Sequence, residues 1–292
     1  MIFCIKYQKA IPFAKNHLYL MKKNGENFRI EDWINEQISF GKYAFSREML
    51  SQAFPHNSPN ALKLSLNRLS KKGKILSVHQ DFYVIVSPEY SSRGILPPAL
   101  FINGLMKYLN RPYYVGLLNA AAFYGAAHQS PQETFVFTVF PAMRPTKKKG
   151  VRINYISKKA IGENYLEDKK TETGMLKVSS PELTAIDIVQ YQKRIGGLNR
   201  AAGVLEELAE SIRPDKITSE FLSENQVSVI QRLGYLFENV IEQKEIAERM
   251  YECASDAQLK FFPVALNSVK KTRGFSGENR WKVIKNTEID LD

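Results

Sequence analysis

The sequence predicts an α+β protein with a small winged helix-turn-helix domain at its N-terminal side and a larger mixed α/β domain after it. Three observations support this prediction. Helix-like and strand-like segments alternate between residues 30 and 86, a turn-rich break follows at residues 87 to 98, and the hydrophobic periodicity begins afresh beyond it. With 292 residues and 44% hydrophobic residues, the chain can form two cores.

The small domain is predicted to begin with two helices. The segment from residue 43 to residue 50 is expected to form the first helix of a helix-turn-helix pair. Ahead of it, apolar residues at helical spacing would close the small core, namely Ile30, Trp33, Ile34 and Ile38.

The second helix of the pair has clear start and stop signals. Ser58 is a suitable N-cap, Pro59 suits the first helical position, and the helix should run to Lys72 and stop at Gly73. Its apolar face is formed by Leu62, Leu66 and Leu69, and we expect this face to pack on Met49, Leu50 and Phe54.

Two β-prone runs come directly after this helix. They cover residues 75–79 and 82–86 and are separated by Gln80 and Asp81, which fits a tight two-residue hairpin. Helix, helix, helix and hairpin in this order are typical of a winged helix that binds DNA.

The exposed side of the second helix carries the predicted DNA-contacting residues. Asparagine can pair with an adenine edge, while lysine and arginine reach guanine acceptors or phosphates. The residues expected on this helix and at the start of the wing are Asn60, Lys63, Asn67, Arg68, Lys71, Lys72 and Lys74. The alternative is an ordinary solvated face.

Charge and composition favour a nucleic-acid partner. Forty-one basic and thirty acidic residues give a net charge of +11, which attracts polyanions. No apolar run is long enough to span a bilayer, and Lys6 and Lys9 interrupt a possible secretory segment, so a cytoplasmic protein is expected. Cys4 and Cys253 are predicted to be free thiols.

The predicted domains are an N-terminal extension at 1–25, the DNA-binding domain at 26–90 and the larger domain at 91–292. The extension would be an extended translation start or a tail. In the larger domain, helices are expected at 99–109, 113–124, 181–192, 198–209, 226–240 and 242–252. Strands are expected at 133–140, 151–156 and 175–178, and the run at 280–284 may return to the same sheet.

Five segments of the chain together resemble a known family. They are Pro112 to Gln132, Val178 to Val189, Gly196 to Leu198, Arg232 to Glu238 and Arg280 to Val283. In order and spacing they are similar to the abortive-infection AbiEi antitoxins of bacterial type IV toxin–antitoxin systems. The resemblance covers roughly residues 30 to 290, whereas residues 1 to about 25 match nothing in the family's pattern.

The resemblance implies a repressor and an antitoxin in one chain. Neither enzymatic activity nor a cofactor is expected, because the sequence contains no phosphate-binding glycine motif and no complete nuclease signature. The winged helix would bind double-stranded DNA at the operon's own promoter. The larger domain would counter a nucleotidyltransferase-like toxin, without a stable complex between the two proteins. Operators of such regulators are often inverted repeats, so a dimer or a cooperative pair on DNA is expected.

Two further groups of residues invite functional interpretations. Lys147, Lys148, Lys149 and Arg152 lie between predicted strands, where they could contact phosphates or form a solvated loop. Glu182, Thr184 and Asp187 resemble an acidic catalytic group, but a capping box of Ser179 with Glu182 is the more economical interpretation.

Other functional classes remain open at this stage. Glu167 and Lys169 form half of a metal-dependent nuclease signature, although a charged turn is the simpler interpretation. A nuclease or a nucleotide-transferring enzyme with a DNA-targeting winged helix is therefore one alternative. A module that sequesters the toxin is another. The histidines show no metal-ligand spacing.

Overall fold

A computed structural model describes residues 28–127 and 131–291, and the predicted N-terminal extension and Cys4 lie outside these ranges. The chain divides into two compact units, the first ending at Tyr108 and the second beginning at Leu109. The division falls later than the turn-rich segment because the helix that ends at Tyr108 packs within the first unit. The Tyr108 ring lies 5.3 Å from that of Phe82, centroid to centroid.

Within the described residues 28–108, the first unit contains four α-helices and one antiparallel sheet. The helices are α1 (Ile30–Ser39), α2 (Arg47–Ala53), α3 (Pro59–Lys71) and α4 (Ile102–Tyr108). The strands are β1 (Ala44–Ser46), β2 (Ile75–His79) and β3 (Phe82–Ile85), in the spatial order β1-β3-β2. Short 3₁₀ turns at Pro88–Tyr90 and Pro98–Leu100 lead to α4.

Strand β1 corrects the sequence prediction, which placed residues 43 to 46 in a helix. Phe45 pairs with Tyr83 of β3, and its fully buried ring meets Trp33 of α1 edge-on at 5.2 Å. This pairing with a distant strand outweighs the local helical pattern. Leu50 is buried as predicted, but Met49 is 42% exposed, so its predicted place in the core is wrong.

The second unit is built on a six-stranded mixed sheet. The strands are β4 (Tyr113–Val115), β5 (Glu133–Val139), β6 (Thr146–Lys148), β7 (Val151–Lys158), β8 (Leu166–Thr171) and β9 (Gly174–Ser179). Their spatial order is β6-β7-β5-β4-β9-β8, with β5 parallel to β7 and β4 parallel to β9. The predicted strands from residues 133, 151 and 175 are confirmed.

Helices supply most of the remaining core of the second unit. They are α5 (Leu118–Phe123), α6 (Pro181–Gln190), α7 (Leu198–Leu208), α8 (Ser219–Ser223), α9 (Val227–Asn239) and α10 (Lys244–Asp256). Those from α6 onward agree with the prediction, apart from the short α8. The predicted helix at 113–124 is only partly right because its first residues form β4, which pairs with β5 and β9.

The C-terminal segment does not return to the large sheet, so that prediction is wrong. It forms β11 (Val283–Ile284), which pairs in parallel with β10 (Val264–Ala265). The Trp281 side chain is fully buried here, and its indole N–H donates a hydrogen bond to Glu238 of α9.

Cys253 of α10 is a free, buried thiol, as predicted. Its Sγ lies 3.1 Å from the carbonyl oxygen of Ile217, and burial raises the pKa of the thiol. No helix in the described ranges has both the length and the apolar character needed to cross a bilayer.

Candidate nucleic-acid interface

Both ends of α3 are fixed by local sequence, and its predicted limits are confirmed. Ser58 Oγ accepts a hydrogen bond from the backbone N–H of Ala61 at 3.2 Å, and Pro59 occupies the first turn. Gly73 follows the helix with a φ of +71°, in the left-handed region that glycine adopts without strain.

One face of α3 is buried and the opposite face is polar. Leu62, Leu66 and Leu69 are 2–3% exposed and form the buried face. On the other side lies a polar ridge, defined here as Asn60, Lys63, Asn67 and Lys71, all exposed. Residues 58–74 contain five basic side chains and no carboxylate, so the surface near the ridge is cationic.

Arg68 of α3, and Lys72 and Lys74 just after the helix, lie close to α1. Lys72 Nζ lies 2.9 Å from Glu31 of α1, and Lys74 Nζ lies 3.5 Å from the same carboxylate. The hydrogen bond from Lys72 and the charge of Lys74 hold the pKa of Glu31 below its ordinary value. Arg68 lines a cavity of about 470 Å³ together with Glu31 and Phe54.

The sequence interpretation missed Leu64, which lies on the same face of α3 as the polar ridge. Leu64 follows Asn60 by four residues and precedes Asn67 by three, so the three side chains share one face of α3. It is 57% exposed. The spacing alone could have placed Leu64 on this face.

The hairpin after α3 has the predicted two-residue turn at Gln80 and Asp81. Asp81 adopts a φ of +55°, a conformation that aspartate tolerates better than most residues. Its carbonyl oxygen accepts the backbone N–H of Arg47 at 2.8 Å, and the Arg47 guanidinium lies 3.6 Å from its carboxylate. The turn is thus anchored to the start of α2.

The basic segment around Lys148 is a tight hairpin rather than a loop. Lys147 and Lys148 belong to β6, an edge strand, and Lys149 turns the chain with a φ of +48°. Arg152 pairs with Glu133 on β5. Lysines often protect a sheet edge from pairing with other chains, so these residues also have a structural explanation.

The start of α6 differs from the predicted capping box. Pro181 occupies the first turn, so Ser180 rather than Ser179 is the N-cap, and its hydroxyl accepts a backbone N–H at 3.3 Å. Ser179 instead places its hydroxyl 2.7 Å from that of Thr184. Glu182 therefore makes no capping box with Ser179.

Both carboxylates of the supposed acidic group are buried and bonded within the second unit. Glu182 accepts the backbone N–H of Arg213 at 3.0 Å. Asp187 accepts hydrogen bonds from the Tyr114 hydroxyl at 2.8 Å and from Lys158 Nζ at 2.9 Å. Burial raises the pKa of Asp187, while Lys158 and Tyr114 oppose that shift. These contacts are those of structural carboxylates.

Glu167 and Lys169 lie on the edge strand β8, not in the charged turn that the sequence suggested. Their side chains form an ion pair at 2.8 Å, and Lys169 Nζ lies 4.3 Å from the centre of the Tyr124 ring. Burial raises the pKa of Tyr124, and the charge of Glu167 raises it further. Within the described ranges, no group of three His, Cys, Asp or Glu residues is placed to hold a metal ion.

Residues 114–239 match the AbiEi antitoxin C-terminal domain family. The fold is similar to the crystal structure of the RV2827C protein from Mycobacterium tuberculosis, with a TM-score of 0.61 and 15% identity. That similarity covers 90% of this chain and 94% of the other. At this identity it concerns the fold alone. No curated protein matches the sequence.

Proposed function

We propose that this chain, whose residues 114–239 match the AbiEi antitoxin C-terminal domain family, is a type IV antitoxin that represses its own operon. The family match is the observation that carries the antitoxin role. A catalytic role for Glu182 and Asp187 is not favoured, because both carboxylates make hydrogen bonds within the second unit.

The order and pairing of elements in the first unit support the proposed winged helix. Helix, strand, two helices and a hairpin follow each other in sequence, and the strands pair in the order β1-β3-β2. In a winged helix of this kind α3 would be the recognition helix and the β2–β3 hairpin the wing. The capped N-terminus, cationic surface and exposed polar ridge of α3 suit binding in a major groove.

The residues of α3 and of the segment just after it would make two kinds of contact with DNA, to base edges and to phosphates. Asn60 and Asn67 can each donate and accept together against an adenine edge, while Lys63 and Lys71 can reach guanine acceptors or phosphates. Lys72, Lys74 and Arg68 lie towards α1, where phosphate contacts are the more suitable role. The partner would be double-stranded DNA at an inverted repeat in the operon's promoter.

The antitoxin role would reside in the second unit and would oppose a nucleotidyltransferase-like toxin without a stable complex. Co-expression with a nucleotidyltransferase-like toxin from the same operon, beside a reporter driven by the operon promoter, tests both roles in one culture. Growth rescue with promoter repression is the expected result. Failure to rescue growth would refute the antitoxin role, and co-purification of the toxin would instead indicate sequestration.

The hairpin around Lys148 is proposed as an additional phosphate contact. Replacing Lys147, Lys148 and Lys149 with glutamine should weaken binding to all duplexes and flatten the salt dependence, by up to about 0.9 in slope per phosphate contact. Duplex titrations at four salt concentrations measure this. Glutamines at Lys270, Lys271 and Arg273 remove the same charge elsewhere in the second unit as a control. An unchanged salt slope in the hairpin variant would exclude the contact.

A further inference from the structure

A cavity of about 320 Å³ in the second unit has a cationic lining. Its walls come from the end of α6 and the turn after it, from the start of α9, and from the segment around Ser268. The charged side chains among its lining residues are Lys193, Arg194 and Arg232, and none of the lining residues is acidic. Tyr191 and Ser268, two residues that carry a hydroxyl group, also line it.

Arg232 is partly buried in this lining without an acidic partner in the described ranges. Its Nε donates a hydrogen bond to the carbonyl oxygen of Ala265 at 2.9 Å, and burial lowers the pKa of its guanidinium. Arg249 offers a comparison, because its Nε donates in the same way to Ile217 at 3.1 Å. Arg249, however, lies 3.8 Å from Glu252. Among the described residues, Arg249 therefore has an acidic partner and Arg232 has none.

The start of α9 adds to the positive potential of the cavity. Gln226 and Val229 both line it, so the first turn of this 13-residue helix lies at its wall. That turn contains no acidic residue, and the Gln226 side chain makes no capping hydrogen bond. The positive end of the helix dipole therefore remains available to an anion.

We propose that this cavity binds a phosphoryl group of a small phosphorylated ligand such as a nucleotide. Arginine matches two phosphate oxygens with its forked donors, and hydroxyl and helix N–H groups can satisfy further oxygens. The volume is near the lower end of ligand pockets, which span roughly 300 to 1,000 Å³, so a small ligand fits better than a macromolecule. This site is distinct from the DNA-binding surface proposed for the first unit.

Isothermal titration calorimetry of the full chain tests this assignment. The ligands are inorganic pyrophosphate, ATP, adenosine, and a short single-stranded oligonucleotide without a terminal phosphate. We expect saturable binding of pyrophosphate and ATP in competition with each other, and none of adenosine. Arg232→Gln and the exposed Arg194→Gln should each weaken binding about tenfold or more, which corresponds to about 1.4 kcal/mol. The affinity of Arg249→Gln for pyrophosphate and ATP should stay within about twofold of that of the unmodified chain.

Several results would overturn the proposal. One is the absence of saturable binding by both pyrophosphate and ATP, and another is equal binding of adenosine and ATP. Binding that Arg194→Gln leaves unchanged would contradict the assignment even if Arg232→Gln failed to fold. Competition by the oligonucleotide at similar affinity would assign the cavity to a nucleic-acid backbone rather than to a small ligand. Because these ligands contain no promoter sequence, none of the results depends on operator binding.

Discussion

Leu64 is a large apolar side chain on the exposed surface of α3. It lies 57% exposed on the face that also carries Asn60, Asn67 and Lys71. A protein partner is a poor explanation because lysine is depleted in the cores of protein interfaces. In the major groove, however, the thymine methyl group is apolar and accessible. We therefore expect Leu64 to contact a thymine methyl group in the operator.

This contact predicts a specific dependence on one methyl group. Replacing the contacted thymidine with deoxyuridine removes only that methyl and should weaken binding about fourfold, since a buried methyl contributes about 0.8 kcal/mol. Leu64→Ala should cause a similar loss, and the deoxyuridine should then have no further effect. Competition titrations over singly substituted operators measure this. The control is Met49→Ala, which shortens another exposed side chain of the first unit and should leave the deoxyuridine effect intact. If the losses from deoxyuridine and from Leu64→Ala were additive, the proposed contact would be contradicted.

Glu31 is predicted to restrain the affinity for DNA because it binds Lys72 and Lys74. Glu31→Gln removes this carboxylate, so both ammonium groups become available to phosphates. Affinity for any duplex should rise, and the slope of log K against log salt should steepen by about one to two. Titrations at several salt concentrations measure the slope. The matched control is Glu89→Gln, which removes the same charge from an exposed turn. Equal effects of the two variants would show that only net charge matters.

At the scale of elements, the C-terminal segment is locked onto α9 by close packing. Trp281 is fully buried against Gly234, where a Cβ atom would lie 2.3 Å from the nearest ring atom. Arg280 reinforces the contact through ion pairs with Glu238 at 2.9 Å and Glu248 at 2.7 Å. The short sheet of β10 and β11 thus depends on a glycine in a neighbouring helix.

Gly234→Ala should therefore destabilise the second unit by about 1–3 kcal/mol, the usual range for overpacking a well-filled core. The midpoint of chemical unfolding measures this loss. Gly203→Ala in α7 is a suitable control, since a Cβ there meets no atom within 4 Å. That control should stabilise the helix by up to about 1 kcal/mol. Equal midpoints for the two variants would contradict the packing described here.

Elements with strong local signals were predictable from the sequence, whereas those fixed by distant partners were not. Helix α3 has its own cap, apolar face and terminal glycine, so its limits follow from residues 58 to 73. Strands β1 and β4 contain three residues each and exist because they pair with strands far along the chain. The cavity near Arg232 combines residues of three separate segments, and no local pattern brings these together.

At the scale of the whole molecule, the two units would act on different partners. The first presents a cationic surface on α3, and the second contains the residues that match the AbiEi antitoxin C-terminal domain family. Long-range attraction by a chain of net charge +11 would speed the approach to DNA but would not select a sequence. Sequence discrimination would therefore depend on the ridge, and antitoxin action on the second unit.

A titration of the full chain against the DNA upstream of its own gene tests the central claim most directly. It is made at several salt concentrations with excess unrelated competitor, and repeated with Asn67→Ala and Lys71→Ala. We expect competitor-resistant binding, with Asn67→Ala losing about 1–3 kcal/mol of discrimination at one base position. Equal binding to upstream and unrelated DNA, or uniform losses over all sequences in both variants, would contradict the claim that the α3 ridge reads an operator.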